Sequence, residues 1–241
     1  MEAHATHPPS NLSRELTVRV SEAAGEVDAL LLRPNDAQWL IALAHGAGAG
    51  MHHHFLESLA RELAACRIAT FRYQFPYMQH RKGRPDSPAA LTATVHAALA
   101  AAAEFEANLP LLAGGKSLGG RMTSLALSEE LSAGMPEVSA RVRGIVFFGF
   151  PLHAAGRPGT QRADHLQRVK VPMLFLQGTR DTLADLTHMR PLCKKLGSRA
   201  TLHIVDGADH SFHVLKRSGT TDADVRRELA CTAASWADSL D

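Results

Sequence analysis

Apolar and polar positions along this chain change period repeatedly, and each change marks an element. Residues 16–20 (Leu16, Thr17, Val18, Arg19, Val20) alternate, as a strand with one wet face does. Gly25 breaks the pattern, and residues 27–32 read as the antiparallel partner in an edge hairpin. Residues 39–44 are almost continuously apolar, the mark of a strand buried on both faces. Further strand-like runs occupy 68–73, 111–113, 143–148, 171–176 and 200–205.

Helical spacing fills the intervals. Phe55, Leu59 and Leu63 predict a helix over 54–66. Ser87-Pro88 supplies a cap and a first position for a helix to about Glu106. Helix-like segments follow from Leu118 to about Leu131 and over 185–196. The last covers 222–238, with Val225, Leu229 and Ala233 on one face. Strands alternating with helices predict an α/β fold: a mostly parallel central sheet with helices on both faces. Ligands of such sheets sit beyond the carboxyl ends of the strands. The interval 152–170 is too short for a cap domain, and the irregular segment 74–87 is the one expected roof.

Polar residues 1–12 read as a flexible N-terminal arm, and 13–241 as a single domain. The arm lacks the apolar stretch of a secretory signal, and no run of about 18 apolar residues exists. A soluble cytoplasmic protein is expected. Hydrophobic residues make up 45% and charged residues 21%, an ordinary globular balance, and the net charge of +2 is too small to argue for nucleic acid. Cys66, Cys193 and Cys231 are widely spaced and odd in number, so neither a disulfide frame nor a zinc ribbon is expected and the thiols read as reduced and buried. His52, His53 and His54 are consecutive and cannot all face one ion; no metal or other cofactor is expected.

The chemistry concentrates at Gly115-Lys116-Ser117-Leu118-Gly119, between an apolar run and a helix. Strand, G-x-S-x-G, helix is the context of a nucleophile elbow, which lifts a serine hydroxyl above the sheet on a strained turn. A phosphate loop is the rival, but the Walker spacing is absent because Leu111 stands where its first glycine belongs. A serine needs a base, and the base needs an acid to hold its tautomer. In chain order these are Asp181, after the 171–176 strand, and His210, after the 200–205 strand. Asp185 and His213 remain open as substitutes. Two N–H donors are needed for an oxyanion: Leu118 at the start of its helix, and Ala47 in the His45-Gly46-Ala47-Gly48 loop. His45, Gly46, Lys116, Tyr77 and His153 lie in the same loops and are the candidate substrate-binding residues.

These stretches, with Arg72 to Tyr77, Phe150-Pro151-Leu152-His153, Gln177 to Asp181 and Gly207 to Phe212, resemble the α/β-hydrolases over nearly the whole chain. More narrowly, they are similar to the small lidless group that includes dienelactone-hydrolase-like proteins and the testis-expressed protein of this fold. Lys116 departs from the commoner pattern, in which an aromatic, His or acidic residue precedes the serine, but the small group is similar there. The resemblance implies Ser117, Asp181 and His210 as triad. It gives a reaction class, a serine hydrolase working through an acyl-enzyme, and not a substrate; the missing cap, which leaves the site open, is what favours a small soluble ester, lactone or thioester. Partners are then a small-molecule acyl substrate, with no nucleic acid and no membrane, in a monomer or homodimer. Lys116, Arg121, Arg72, Arg81, Lys82 and Arg84 lie in or next to loops expected near the mouth, where they form either a rim that favours an anionic acyl group or simply a solvated basic rim. The competing reading is a protein-interaction module that kept the fold and lost most of the catalysis.

Overall fold

The computed structural model describes residues 11–129 and 140–240. The chain lays down β1 (Leu12–Ser21), β2 (Gly25–Arg33), β3 (Trp39–Ala44), α1 (His54–Ala65), β4 (Ile68–Tyr73), α2 (Pro76–Gln79), α3 (Pro88–Phe105), β5 (Leu111–Lys116) and α4 (Leu118–Ala126). There follow β6 (Val142–Phe148), a 3-10 helix (Gln161–Arg168), β7 (Met173–Gly178), α5 (Leu186–Leu196), β8 (Ala200–Val205) and α6 (Asp222–Asp238). The eight strands form one sheet in the order β1-β2-β4-β3-β5-β6-β7-β8. Only the β1/β2 and β2/β4 pairings are antiparallel.

The continuous apolar run of β3 explains its central position. Leu40, Ala42 and Ala44 pack on one face with α3 and α4, through Leu91, Val95 and Met122. Trp39, Ile41 and Leu43 pack on the other with α1 and α6, through Leu59, Leu63, Leu229 and Ala233. β6 and β7 divide in the same way: Ile145, Phe147, Met173 and Phe175 meet α5 and the 3-10 helix, while Val146, Phe148, Leu174 and Leu176 face α6. Period-2 side-chain alternation thus builds a helix layer on each face.

After β3 the chain moves outward to β4, then crosses back to place β5 on β3's other side. Connections diverge there, and the strand ends leave a crevice between the β3 and β5 loops, the usual ligand position in an open α/β sheet. Between β6 and β7 the chain inserts only a bend and the 3-10 helix, and no cap.

Several boundaries differ from the sequence pattern. β1 begins at Leu12, inside the expected arm, whose first ten residues lie outside the described ones. α4 ends at Ala126 rather than near Leu131, which also lies outside them. Segment 74–87 contains the one-turn helix α2. Among the described residues no helix is long and apolar enough to cross a membrane.

Candidate active site

β5 ends at Lys116 and α4 begins at Leu118, so Ser117 alone makes the turn. Its backbone lies at φ 51° and ψ −113°, a conformation that costs a non-glycine residue energy and persists only where the surroundings impose it. Its Oγ is 2.8 Å from His210 Nε2. His210 Nδ1 is 2.7 Å from Asp181 Oδ2. Asp181 is buried, its Oδ1 accepting from the Leu183 N–H at 2.8 Å and its Oδ2 also from the Gln177 side-chain amide. Gln177 is itself fully buried, and its Oε1 accepts from the Phe150 N–H at 3.1 Å. That contact fixes which way the Gln177 amide faces. With a carboxylate on Nδ1, the ring carries its proton there and keeps a lone pair on Nε2 for the serine hydroxyl.

Lys116 turns inward. Its Nζ donates to the His210 carbonyl at 2.6 Å and lies 5.5 Å above the Phe212 ring, so its charge braces the histidine's own backbone. Burial lowers its pKa to about 8, against the raising influence of Asp181 and Asp209.

The β3 loop is braced from beneath. His45 is fully buried. Its Nε2 accepts from the Phe75 N–H at 3.0 Å, so Nδ1 carries the proton and donates to the Gly46 carbonyl at 2.7 Å. The Ala49 N–H donates to the same carbonyl at 3.2 Å. In a trans peptide the next N–H points opposite to the carbonyl, so holding the Gly46 oxygen inward turns the Ala47 N–H outward. Ala47 lines the same cleft as Ser117 and His210. Leu118, at the first position of α4, has an N–H that no intrahelical carbonyl can reach. Tyr77 is buried and accepts from the Gly48 N–H at 3.1 Å; Gln74 accepts from the Met51 N–H at 2.8 Å; Arg72 donates to the Met51 carbonyl at 2.8 Å.

His45 and Tyr77, expected to touch substrate, are thus spent inside the loop's support, because both side chains lie under the backbone rather than above it. Arg72 is buried for the same reason and forms no basic rim. Lys82 pairs with Asp86 at 3.3 Å beside the β1–β2 turn, away from the cleft, so an anion-selecting rim loses this member too. None of 74–87 lines the cleft, so that segment is a floor for the loop and not a roof. His153 is half-buried, its Nδ1 bonded to the Ala154 carbonyl at 2.9 Å, and lies outside the cleft lining.

The substitutes face elsewhere. Asp185 caps α5 through the Thr187 N–H at 2.7 Å. His213 pairs with Asp222 at 2.9 Å on the exposed start of α6. Asp209 accepts from the Ser211 and His213 N–H groups and shapes the His210 turn. Among the described residues no group of three or more His, Cys, Asp or Glu could hold a metal ion.

The cleft has a volume of about 270 Å³ and is open. Gly46, Lys116 and Ser117 line it as the sequence suggests; His53 joins them from the start of α1, and Phe55, Leu56, Leu183 and Ser211 do so without a prior signal. Only the path of α1 brings its first turn across the crevice.

The braces carry a pH dependence. Burial lowers the pKa of His45 from 6.5 to about 4 and, first among its causes, that of His165, a buried residue of the 3-10 helix whose Nε2 lies 2.8 Å from Ser124 Oγ on α4, to about 4. Between pH 4 and 6.5 the unfolded chain binds protons that the folded one refuses, so stability rises with pH there and is lost on acidification. Each shift corresponds to roughly 3 kcal/mol. The unfolding midpoint is expected to fall by at least about 10 °C between pH 6.5 and 4.5. A His45→Gln variant, which keeps a donor and an acceptor, is expected to show a shallower fall. A flat profile in the wild type would contradict this account of the buried rings.

A family model described as an alpha/beta hydrolase domain matches residues 37–238. Solved structures share the fold. The dienelactone hydrolase of Anabaena variabilis ATCC 29413 is 21% identical, with a TM-score of 0.71 over 95% of this chain and 97% of that one. A lidless α/β serine hydrolase from Xanthomonas campestris is 21% identical, with a TM-score of 0.66 over 93% and 94%. A cold-adapted esterase from an Arctic intertidal metagenomic library is 21% identical, with a TM-score of 0.62 over 99% of each chain. With its elbow serine at the switch point of this sheet and nearly all its length after β2 matched, the chain belongs to the α/β-hydrolase domain family.

Proposed function

We propose that the protein is a serine hydrolase that cleaves small soluble esters, lactones or thioesters through an acyl-enzyme on Ser117. The observation that carries this reading is the unbroken hydrogen-bonded series Ser117–His210–Asp181, assembled from three different strand ends. Ser117 Oγ attacks the acyl carbon while its proton passes to His210 Nε2. The Leu118 and Ala47 N–H groups receive the oxyanion as the carbonyl bond opens. Collapse breaks the bond to the alcohol or thiol, which leaves with the proton from His210. Water then repeats the sequence, and the acid is released with Ser117 restored. Asp181 stabilises the imidazolium and holds the ring without taking its proton.

The open cleft favours short acyl groups over long lipids. The names of two similar structures, a dienelactone hydrolase and an esterase, support the same class of bond. An interaction module without catalysis would have no need of a strained serine in hydrogen-bond contact with a buried His–Asp pair.

The test is a fluorophosphonate probe on the purified protein, with the label located by peptide mass. Labelling is expected at Ser117, and to disappear in Ser117→Ala and in His210→Ala. A folded wild type that takes no label would overturn the reading; labelling that survives His210→Ala would overturn the base assignment.

A further inference from the structure

Cys66 closes the last turn of α1, and Cys231 lies midway along α6. They are 165 positions apart in sequence, yet their sulfurs are in contact at 3.4 Å. One turn earlier on both helices, Glu62 and Arg227 approach to 3.8 Å. Both contacts are spaced by one four-residue turn along each helix, so α1 and α6 run side by side in the same direction and in register. The sulfur contact is therefore set by helix packing, with Leu59, Leu63, Ala230 and Ala233 in the core beneath it, and not by one side chain's rotamer.

We propose that Cys66 and Cys231 form a redox-active pair that closes to a disulfide between α1 and α6 when the protein meets a peroxide. Cys231 is exposed and Cys66 half-buried, where the sequence led us to expect buried thiols, and the difference divides the roles. Burial, and then the contact with Cys231, push the Cys66 thiol up to about 12, and the exposed Cys231 is the sulfur that a peroxide reaches first. Its thiolate attacks the peroxide, whose O–O bond breaks: the sulfur keeps one oxygen as sulfenic acid and the other leaves as water. The Cys66 sulfur then attacks the sulfenic sulfur and displaces its oxygen. That oxygen departs as a second water, taking the Cys66 proton. Two thiols are oxidised, one peroxide is reduced, and a dithiol reductant reverses the change.

A bonded pair lies at about 2.05 Å, so closure from 3.4 Å needs about 1.4 Å of movement. The end of α1 can supply it: Cys66 is a cap residue, and Arg67 beyond it has already left the helix at φ 62°. Cys193, the third thiol, is buried on the inner face of α5 and stands apart from the pair. The bond would tie down α1, whose opposite end carries His53, Phe55 and Leu56 into the cleft. None of this depends on the hydrolase reading.

The experiment treats the reduced, full-length protein with hydrogen peroxide and counts thiols, then maps peptides without reduction. The oxidised protein is expected to keep one of its three thiols, to lose the mass of two hydrogen atoms, and to yield a Cys66–Cys231 linked peptide that dithiothreitol separates. Cys66→Ser should leave a sulfenic acid at Cys231 that dimedone traps, whereas Cys231→Ser should leave Cys66 unreacted at the same dose. Three intact thiols, over-oxidation of Cys231 without the linked peptide, or chains crosslinked to one another through Cys231 would each overturn the proposal.

Discussion

Replacing Asp181 with asparagine is expected to lower kcat/KM for a short activated ester by about 10,000-fold while leaving the fold intact. The reason is that both oxygens of this carboxylate already face donors. Oδ1 faces the Leu183 N–H at 2.8 Å; Oδ2 faces His210 Nδ1 at 2.7 Å and the Gln177 amide. Gln177 cannot turn its amide over, because its oxygen is held by the Phe150 N–H. An asparagine must present its NH2 to one of these donors. If it faces His210, the ring is driven to the tautomer with its proton on Nε2, and the serine loses its acceptor. If it faces Leu183, a buried N–H is left unpaired, at about 1–3 kcal/mol. Either route suppresses proton transfer from Ser117 without removing side-chain volume. The check is steady-state kinetics with unfolding midpoints measured in parallel, or the fluorophosphonate labelling rate if turnover is slow. A loss below tenfold in a well-folded variant would mean that Asp181 does not orient the histidine.

The second large effect is expected at Gly119. A methyl group there would lie 2.5 Å from the Ala44 carbonyl oxygen and 2.6 Å from that of His45. Both are backbone atoms at the end of β3, so no rotamer change relieves the clash. α4 must lift away from the sheet, or the β3 loop must shift. The same close approach sets α4 and its first residue, Leu118, against the β3 loop that carries Ala47, so the proposed oxyanion donors are expected to shift and activity to suffer with stability. Gly119→Ala is expected to cost about 3 kcal/mol, the upper part of the usual overpacking range. That lowers the unfolding midpoint by about 10 °C, and the fluorophosphonate rate should fall with it. Gly83→Ala, where nothing lies within 4 Å, serves as the neutral control. Equal midpoints for the two variants would show that α4 does not rest on β3 as described.

Much of this site was legible before the structure because its residues are tied to punctuation in the chain. A serine between two glycines at a strand-to-helix junction declares its turn. Asp181 and His210 each follow an apolar strand, in the order that the resemblance to α/β-hydrolases implies. The substrate-binding candidates were less legible. His45 and Tyr77 sit in loops at the correct end of the sheet, and proximity in sequence cannot say which side of a loop a ring takes. Both lie beneath the loop, where buried backbone N–H and C=O groups need partners. Gln177, which clamps Asp181, looked like one polar residue at the end of an apolar strand.

What the sequence determined by itself was local: strand and helix identity from period 2 against period 3.6, the elbow from its glycines, and the parallel sheet from the alternation of elements. Those signals survive because they depend on neighbours within a turn or two. The tertiary structure alone decided the strand order that opens a crevice between β3 and β5, the inward course of Lys116 and Arg72, and the path of α1 along the cleft. It also decided the meeting of Cys66 with Cys231 across 165 positions. Those depend on which faces pack together, a global balance of buried area and satisfied polar groups that no short stretch encodes.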